Sequence, residues 1–191
     1  MTDEIRQVIV AMSGASGSIY GVRLIKALKN ANVTVHLTIS PSAEINLELE
    51  TGLTAKKLSK LVDHMYPAND MTAPISSGSF SVHGMVIAPC SMKTLAAIAN
   101  GYSDSLTTRA ADVTLKEERT LVLVPRETPL NQIHLRNMLT AAQAGAIILP
   151  ASPGFYHSPK TIDELIDHIV GKIMDILHIE HNLYRRWSGL P

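Results

Sequence analysis

Short apolar runs rich in Val, Ile and Leu alternate along this chain with longer segments in which apolar residues recur at helical spacing. The short runs predict five strands, at residues 7–12, 33–39, 85–88, 121–124 and 146–149. Nearly every position in these runs is apolar, which is typical of strands covered by helices on both faces of a parallel sheet. The alternation predicts βαβ units, and hence a three-layer α/β fold in which a parallel sheet is flanked by helices.

Three longer segments have the periodicity of helices. Residues 18–30 carry apolar positions at i, i+3, i+4 and i+7, and residues 135–142 repeat that spacing before Gly145, which suits a helix end. The last helix is predicted to begin at a capping box formed by Thr161 and Glu164, and a continuous apolar stripe follows it. The first βαβ unit is therefore a strand, a Gly- and Ser-rich loop, and a helix.

Two connecting segments are unusually long. Residues 67–81 form a polar loop, and residues 150–159 contain three prolines and two aromatic residues. Loops of this length inside a compact domain are commonly functional. We predict a single domain over residues 1–191, with a C-terminal tail from about residue 180 to 191 that docks on a neighbouring subunit.

Composition and charge restrict the possible partners. At 191 residues, the chain can bury a hydrophobic core as one domain. Seventeen Lys and Arg balance seventeen Asp and Glu, so no net field attracts nucleic acid or an anionic membrane. No apolar run reaches the roughly 20 residues that cross a bilayer. The single cysteine, Cys90, excludes an intramolecular disulfide, and these features together predict a cytoplasmic protein with a small charged ligand.

Four loops that follow predicted strands carry candidate chemistry, because ligands of parallel sheets bind where helix N-termini point free N–H groups. The loop at residues 13–18, Ser-Gly-Ala-Ser-Gly-Ser, is predicted to bind a phosphorylated ligand; the alternative is a tight turn that needs small residues. The other loops are at residues 40–41, 89–94 and 125–129. The last contains Arg126 and Glu127, either a phosphate clamp beside a proton-handling carboxylate or a surface ion pair.

Other kinds of chemistry have weaker support in the sequence. A nicotinamide dehydrogenase is disfavoured because the first loop has only part of a dinucleotide fingerprint, and a proline interrupts the Tyr-x-x-x-Lys match at Tyr156 and Lys160. His178 and His181 could bind a metal ion, but a solvated helix end is favoured. Cys90 is interpreted as a packing residue.

Five strings stand out when the whole chain is considered. They are MSGASG at residues 12–17, APCSMKTL at 88–95, RAADV at 109–113, LVLVPRE at 121–127 and PGFY at 153–156. In this order and at this spacing they resemble the flavin prenyltransferase family of the UbiX type, and the resemblance continues to Arg186 and Trp187. Residues 76–80 and 185–191 are most similar to the branch linked to phenolic-acid decarboxylation, whose members were named aromatic-acid decarboxylase subunits.

The resemblance implies a Rossmann-like, flavodoxin-related fold, a homododecamer, and FMN bound near subunit interfaces. It implies a metal-independent transferase that joins the dimethylallyl group of dimethylallyl monophosphate to N5 and C6 of reduced FMN. A partner aromatic-acid decarboxylase then uses the prenylated FMN. The alternatives are a non-catalytic flavin-binding subunit of a decarboxylase complex, and direct decarboxylation by this chain.

The resemblance also implies roles for individual residues. FMN contacts fall on Gly14, Ala15, Ser16, Ser40, Ser91, Met92, Lys93, Thr94 and Arg126. Contacts to the prenyl donor fall on Arg109, Lys116, Arg126, Tyr156, Lys172 and Trp187. Catalytic roles fall on Ser16, Glu50, Lys116 and Glu127. In the long polar loop, Met71 or Thr72 stands where some members have a tryptophan, which predicts a prenyl pocket of different shape.

Overall fold

The computed structural model describes residues 6–187 and Gly189, and a parallel sheet of six strands lies at its centre. In chain order the strands are β1 (Gln7–Met12), β2 (Thr34–Ile39), β3 (His64–Tyr66), β4 (Gly84–Cys90), β5 (Thr120–Pro125) and β6 (Ile147–Ile148). Across the sheet the order is β3-β2-β1-β4-β5-β6, with every neighbouring pair parallel. The five predicted strands are confirmed. The short edge strand β3 was not predicted, because its three residues form no apolar run.

Seven α-helices surround the sheet in the described residues. They are α1 (Ser18–Asn30), α2 (Pro41–Thr51), α3 (Ala55–Leu58), α4 (Met92–Ala99), α5 (Leu106–Lys116), α6 (Gln132–Gln143) and α7 (Ile162–Ile176). The helices predicted from periodicity, α1, α6 and α7, are confirmed, and Gly145 follows α6 at a φ of 105°. The capping box of α7 is only half formed: Thr161 accepts the Glu164 N–H, but the Glu164 carboxylate accepts the N–H of Lys160.

The strands separate two apolar layers because successive side chains point to opposite faces of the sheet. Val8, Val10 and Met12 of β1 pack with α1, α2 and α7, whereas Ile9 and Ala11 pack with α4, α5 and α6. Cys90, the last residue of β4, is fully buried, and this burial raises the pKa of its thiol to about 12, which agrees with a packing role. The predicted three-layer α/β fold is confirmed.

The direction in which successive strands are added to the sheet reverses between β1 and β4. At this point the buried side chain of Ser13 connects the ends of the two strands. The Ser13 hydroxyl donates to the carbonyl oxygen of Pro89 at 3.1 Å and accepts the N–H of Ser91 at 2.7 Å. The loop after β1 and the start of α4 are thereby held together. In sheets of this kind the ligand crevice opens at such a switch point, beyond the carboxyl ends of the strands.

The polar loop at residues 67–81 is fixed at its second half by two arginines. Arg119 donates to the carbonyl oxygens of Phe80 and Gly78, each at 2.8 Å, and Arg109 donates to that of Ser76 at 3.2 Å. Guanidinium groups satisfy several backbone acceptors at once, because their donors lie in a fixed planar fork. Arg109 therefore already has a structural role at this loop.

Candidate functional site

Glu50 occupies the N-terminus of α1. Its carboxylate accepts the N–H of Gly17 at 2.9 Å and that of Ser18 at 2.7 Å, although it lies more than 30 residues away at the end of α2. Carboxylates are stabilised at helix N-termini by the free N–H groups and the helix dipole. The loop at residues 13–18 was predicted to bind a phosphorylated ligand, and that stays a prediction. The N–H groups of Gly17 and Ser18 are already satisfied by Glu50, so such a ligand would use other donors of the loop.

The same contacts keep Glu50 ionised. Partial burial acts to raise its pKa, but hydrogen bonds from the Ser16 hydroxyl and from the N–H groups of Ser18 and Gly17 outweigh it and lower the pKa. The Ser16 side chain is exposed at the mouth of the crevice. An anionic acceptor therefore lies beside the exposed hydroxyl of Ser16.

Two further helices begin at this edge of the sheet. Ser40 caps α2 by accepting the Ala43 N–H at 3.2 Å, and Ser91 caps α4 by accepting the Thr94 N–H at 3.3 Å. Among residues 6–187 and 189, the N–H groups of Met92 and Lys93 in the first turn of α4 have no protein acceptor. These donors are available to an anion, and the exposed side chain of Lys93, whose Nζ lies 3.7 Å from the Asp104 carboxylate, adds a positive charge beside them.

Arg126 follows β5 and reaches the first loop. Its Nε donates to the carbonyl oxygen of Ser16 at 3.2 Å, and within the described part of the chain no carboxylate forms an ion pair with it. The carboxylate of Glu127 instead accepts the Thr128 N–H at 3.1 Å. The alternative of an ion pair between Arg126 and Glu127 is therefore wrong. A cavity of about 130 Å³ lies beside both side chains.

A second cluster forms where the loop at residues 150–159 crosses α7. Tyr156 and Trp187 are both more than half exposed, and their ring centroids lie 6.0 Å apart, edge to face. The Tyr156 hydroxyl lies 3.1 Å from Nε2 of His168, on α7. The loop itself starts at the ligand edge, since the Ala151 N–H donates to the carbonyl oxygen of Pro125, next to Arg126.

Asp175 holds the C-terminal tail, here residues 178–187, against α7. Its carboxylate accepts hydrogen bonds from Tyr184 at 2.5 Å and Arg186 at 2.7 Å, and it lies 3.1 Å from Nε2 of His181. The solvated helix end predicted for His181 is wrong, because its side chain is only 4% exposed. Lys172 is exposed and lies 4.0 Å from the same carboxylate. Residues 188, 190 and 191 of the predicted tail lie outside the described residues.

We expect Asp175→Asn to release this tail. Burial alone would raise the pKa of Asp175, but hydrogen bonds from Tyr184, Arg186 and His181 lower it to about 2. The stabilisation is therefore complete above the ordinary pKa near 4, and it is lost as pH falls through about 2. Trp187 is the single tryptophan, so its fluorescence reports the tail. In the parent protein the emission should stay constant from pH 7 to about 4 and change only below that.

The variant should show the released spectrum already at pH 7. Asp163→Asn is the matched control, because it makes the same change on the exposed first turn of α7, away from the tail. A parent-like Trp187 spectrum for Asp175→Asn at pH 7 would contradict the assigned role.

Two predicted site residues lie away from these clusters. Lys116 ends α5 beside Glu117 and Gly78, at the amino end of β5, whereas Arg126 follows the carboxyl end of the same strand. A six-residue strand separates them by roughly 17 Å. Arg109 lies on α5 with Asp112 2.9 Å away. One subunit therefore does not bring Lys116 to Arg126.

Comparisons with known proteins identify the family of this chain. A family model described as Flavoprotein matches residues 1–186. The chain is 54% identical over 185 residues to a flavin prenyltransferase UbiX of Methanothermobacter thermautotrophicus, covering 97% of each chain. The chain belongs to the flavin prenyltransferase family. The resemblance found in the sequence is thereby confirmed.

Solved structures of this family share the fold. The crystal structure of AnUbiX (PadA1) in complex with FMN and dimethylallyl pyrophosphate is 47% identical and superposes with a TM-score of 0.96, covering 98% of this chain and all of that one. A dodecameric FMN-dependent UbiX-like decarboxylase from Escherichia coli O157:H7 is 48% identical, with a TM-score of 0.93, and the match covers 96% of this chain and all of that one. The Rossmann-like, flavodoxin-related prediction is confirmed.

Neither a metal-binding cluster nor a membrane-spanning helix occurs in the part of the chain that the structure describes. In residues 6–187 and 189, no His, Cys, Asp and Glu side chains form a group of three or more that could hold a metal ion. Over the same residues, no helix has both the length and the apolar character to cross a membrane.

Proposed function

We propose that this protein is a flavin prenyltransferase that transfers the dimethylallyl group of dimethylallyl monophosphate to reduced FMN. The observation that carries the proposal is the geometry at the ligand edge, where Arg126, without a carboxylate partner, is anchored on the backbone of Ser16. Family membership and the likeness to a relative described with FMN and dimethylallyl pyrophosphate support it.

The residues at the ligand edge fit FMN. The free N–H groups at the start of α4 and the side chain of Lys93 suit the phosphate of FMN. We assign the phosphate to α4 because Glu50 already accepts the N–H groups at the start of α1. We assign FMN contacts to Gly14, Ala15, Ser16, Ser40, Ser91, Met92, Lys93, Thr94 and Arg126. The hydroxyl of Thr94 is buried and accepts a hydrogen bond from Ser91, so we assign it the role of fixing that serine.

When bound, reduced FMN supplies the two nucleophilic atoms, N5 and C6, that accept the dimethylallyl group. Breaking the allylic C–O bond leaves negative charge on the phosphate and positive charge on the allyl carbons. Arg126, Lys116 and Lys172 would stabilise the phosphate, and the ring faces of Tyr156 and Trp187 would stabilise the allyl cation. The departing phosphate would accept the proton lost from N5. Bond formation at C6 would use the remaining double bond of the prenyl chain, and the proton lost from C6 would pass to the other carbon of that double bond, so bonds and protons balance.

Glu50 and Glu127 have different surroundings and therefore different proposed roles. Glu50 is kept anionic at the start of α1, behind Ser16, and would orient or relay a proton through that hydroxyl. Glu127 borders the cavity beside Arg126 and would assist proton transfer from there.

Lys116 can join the site only from a neighbouring subunit, because its own Arg126 lies at the opposite end of β5. Arg109 lies near the other end of α5, where it contacts Ser76 and Asp112, and we propose that it also serves a neighbouring subunit's prenyl-donor site. Apolar side chains are exposed on two helices: Ile45 and Leu49 on α2 are 62% and 79% exposed, and Ile133 and Leu139 on α6 are 65% and 59% exposed. Such surfaces are typical of subunit contacts. We therefore propose a homo-oligomer, of the dodecameric type described for the E. coli relative.

We predict a cytoplasmic location for the protein.

The product would serve a partner aromatic-acid decarboxylase. The alternative is a flavin-binding subunit without turnover, and the two functions differ in whether small molecules extracted from the reaction can activate the decarboxylase. If the protein is an enzyme, a protein-free extract of its reaction should activate the partner decarboxylase, whereas a true subunit must itself be present.

The direct test is mass spectrometry of the flavin. We would incubate the protein anaerobically with FMN, dimethylallyl monophosphate and dithionite, and measure the flavin released on denaturation. A flavin heavier by one prenyl unit is expected, with inorganic phosphate formed in equal amount. Unchanged FMN after many hours, with the protein folded and FMN bound, would refute prenyl transfer.

A further inference from the structure

The hydroxyl of Tyr156 is hydrogen-bonded to a buried histidine, His168. His168 lies on α7 and is 7% exposed, and its Nε2 is 3.1 Å from the Tyr156 oxygen. The other ring nitrogen, Nδ1, accepts the backbone N–H of Gly154 at 3.3 Å. Both nitrogens of His168 are thus engaged by the loop at residues 150–159.

These two contacts determine where the imidazole proton sits. A backbone N–H can only donate, so Nδ1 of His168 must be the acceptor and a neutral ring carries its proton on Nε2. That Nε2–H donates to the oxygen of Tyr156. The tyrosine's own hydrogen is then not used within the pair, and it is free to be donated to a ligand, since Tyr156 is more than half exposed.

The surroundings of His168 keep it neutral. Burial lowers its pKa, and His157 and Lys172 lower it further by charge repulsion. His157 stacks on His168 with ring centroids 4.9 Å apart and planes 9° apart. A protonated His168 would also point a second N–H at the Gly154 N–H, which cannot accept it.

Gly154 shows that the packing of this pair is close. A Cβ at position 154 would lie 3.0 Å from the Tyr156 ring and 3.4 Å from Cε1 of His168. A side chain there would push the loop away from α7 and lengthen both hydrogen bonds. The hydrogen bond from the Gly154 N–H and the hydrogen bond to the Tyr156 hydroxyl therefore depend on the same close packing of the loop on α7.

We propose that His168 is a positioning residue that accepts from Gly154, donates to the Tyr156 oxygen, and so directs the tyrosine hydrogen to the phosphate of the prenyl donor. The inference rests on the proposed prenyl transfer, and it gives the Tyr156 hydroxyl a contact with the phosphate in addition to the role of its ring face toward the allyl group. It adds a residue that touches neither FMN nor the prenyl donor and acts through the tyrosine alone.

A double-mutant cycle tests the proposal with dimethylallyl monophosphate as the varied substrate. Tyr156→Phe removes the hydroxyl, and His168→Asn keeps an acceptor near Gly154 but is too short to reach Tyr156. Each should raise KM for the prenyl donor about tenfold, the loss expected for one hydrogen bond to a charged group. FMN affinity should change little. The double variant should match Tyr156→Phe within about twofold, because His168 acts only through the hydroxyl.

The longer His168→Gln can again donate to Tyr156, so it should recover much of the loss seen for His168→Asn. Multiplying effects in the double variant, or no recovery with His168→Gln in a folded protein, would overturn the positioning role. If Tyr156→Phe leaves KM unchanged, the phosphate contact itself is wrong and the inference falls with it. Prenyl transfer as such would still be supported by the mass of the flavin product.

Discussion

Arg126→Met is expected to lower kcat/KM for prenyl transfer by about 10²–10³-fold, the usual loss when one fixed donor to a developing negative charge is removed. The guanidinium is anchored through Nε to the Ser16 carbonyl, and in the described residues no carboxylate competes for its remaining donors. It is therefore preorganised for the phosphate. The measurement is the initial rate of prenylated flavin formation at several concentrations of dimethylallyl monophosphate.

Two control variants distinguish the geometry of the Arg126 guanidinium from the effect of its positive charge alone. Arg126→Lys keeps the charge but loses the planar fork, so its activity should fall between that of the parent and that of the Met variant. Lys57→Met removes one positive charge on the short helix α3, outside the site, and should leave the rate unchanged. Similar rates for Arg126→Met and Lys57→Met would show that Arg126 does not hold the phosphate.

Mixed oligomers extend this test to the subunit arrangement. Lys116→Met alone should also be nearly inactive if Lys116 meets the phosphate held by a neighbour's Arg126. When Lys116→Met and Arg126→Met chains assemble together in equal amounts, about one quarter of the sites combine two parent residues, and activity should return to that level. No recovery in verified mixed oligomers would mean that the two residues do not act in one site across subunits.

The fold was largely predictable because its signals are local. The strands of a sheet covered on both faces are continuous apolar runs, and α1 and α7 have regular apolar stripes. The exceptions also have local reasons. β3 has only three residues, at the edge of the sheet. The buried face of α5 is made largely of Ala and Thr, so few strongly apolar residues mark its period in the sequence.

The site was predictable only where it follows from the ends of strands. Ser13, Ser40, Ser91 and Arg126 all come directly after strands, so the topology alone brings them to one edge. The contact of Glu50 with Gly17 joins the end of α2 to the start of α1, and no pattern within either segment encodes it. The resemblance to a family singled out Glu50, but the geometry explains why it is ionised.

Asp175 and His168 were missed for a related reason. Each has a polar side chain on a helix whose apolar stripe dominates the pattern, and each acts through a partner from another segment. The available signal for His168 was a polar residue set between buried Ile166 and Ile169. For Asp175 there was none, because its partners lie in a tail with no periodicity.

Gly21→Ala is expected to reduce the free energy of unfolding by about 3 kcal/mol, at the upper end of the range for overpacking a core. A Cβ on Gly21 would overlap the carbonyl oxygen of Ala88 and lie 3.0 Å from the Sδ and Cε atoms of Met12. The oxygen belongs to the backbone of β4, directly after the residues Gly84–Ile87 that pair with β1 on one side and β5 on the other. Denaturation by guanidinium chloride, followed by circular dichroism at fixed protein concentration, measures the change.

The sign of this effect is informative because intrinsic propensity predicts the opposite. In an open helix, Gly→Ala stabilises by about 1 kcal/mol, so a loss can come only from the contacts of the new Cβ with Ala88 and Met12. Lys26→Ala, on the exposed face of the same helix, is the control and should unfold like the parent. An unchanged or higher midpoint for Gly21→Ala would mean that α1 can move away from β4 freely. Because Gly21 lies one turn after Ser18, the strained variant should also bind FMN more weakly, since any shift of α1 moves the loop that carries Ser16 and the Glu50 contact.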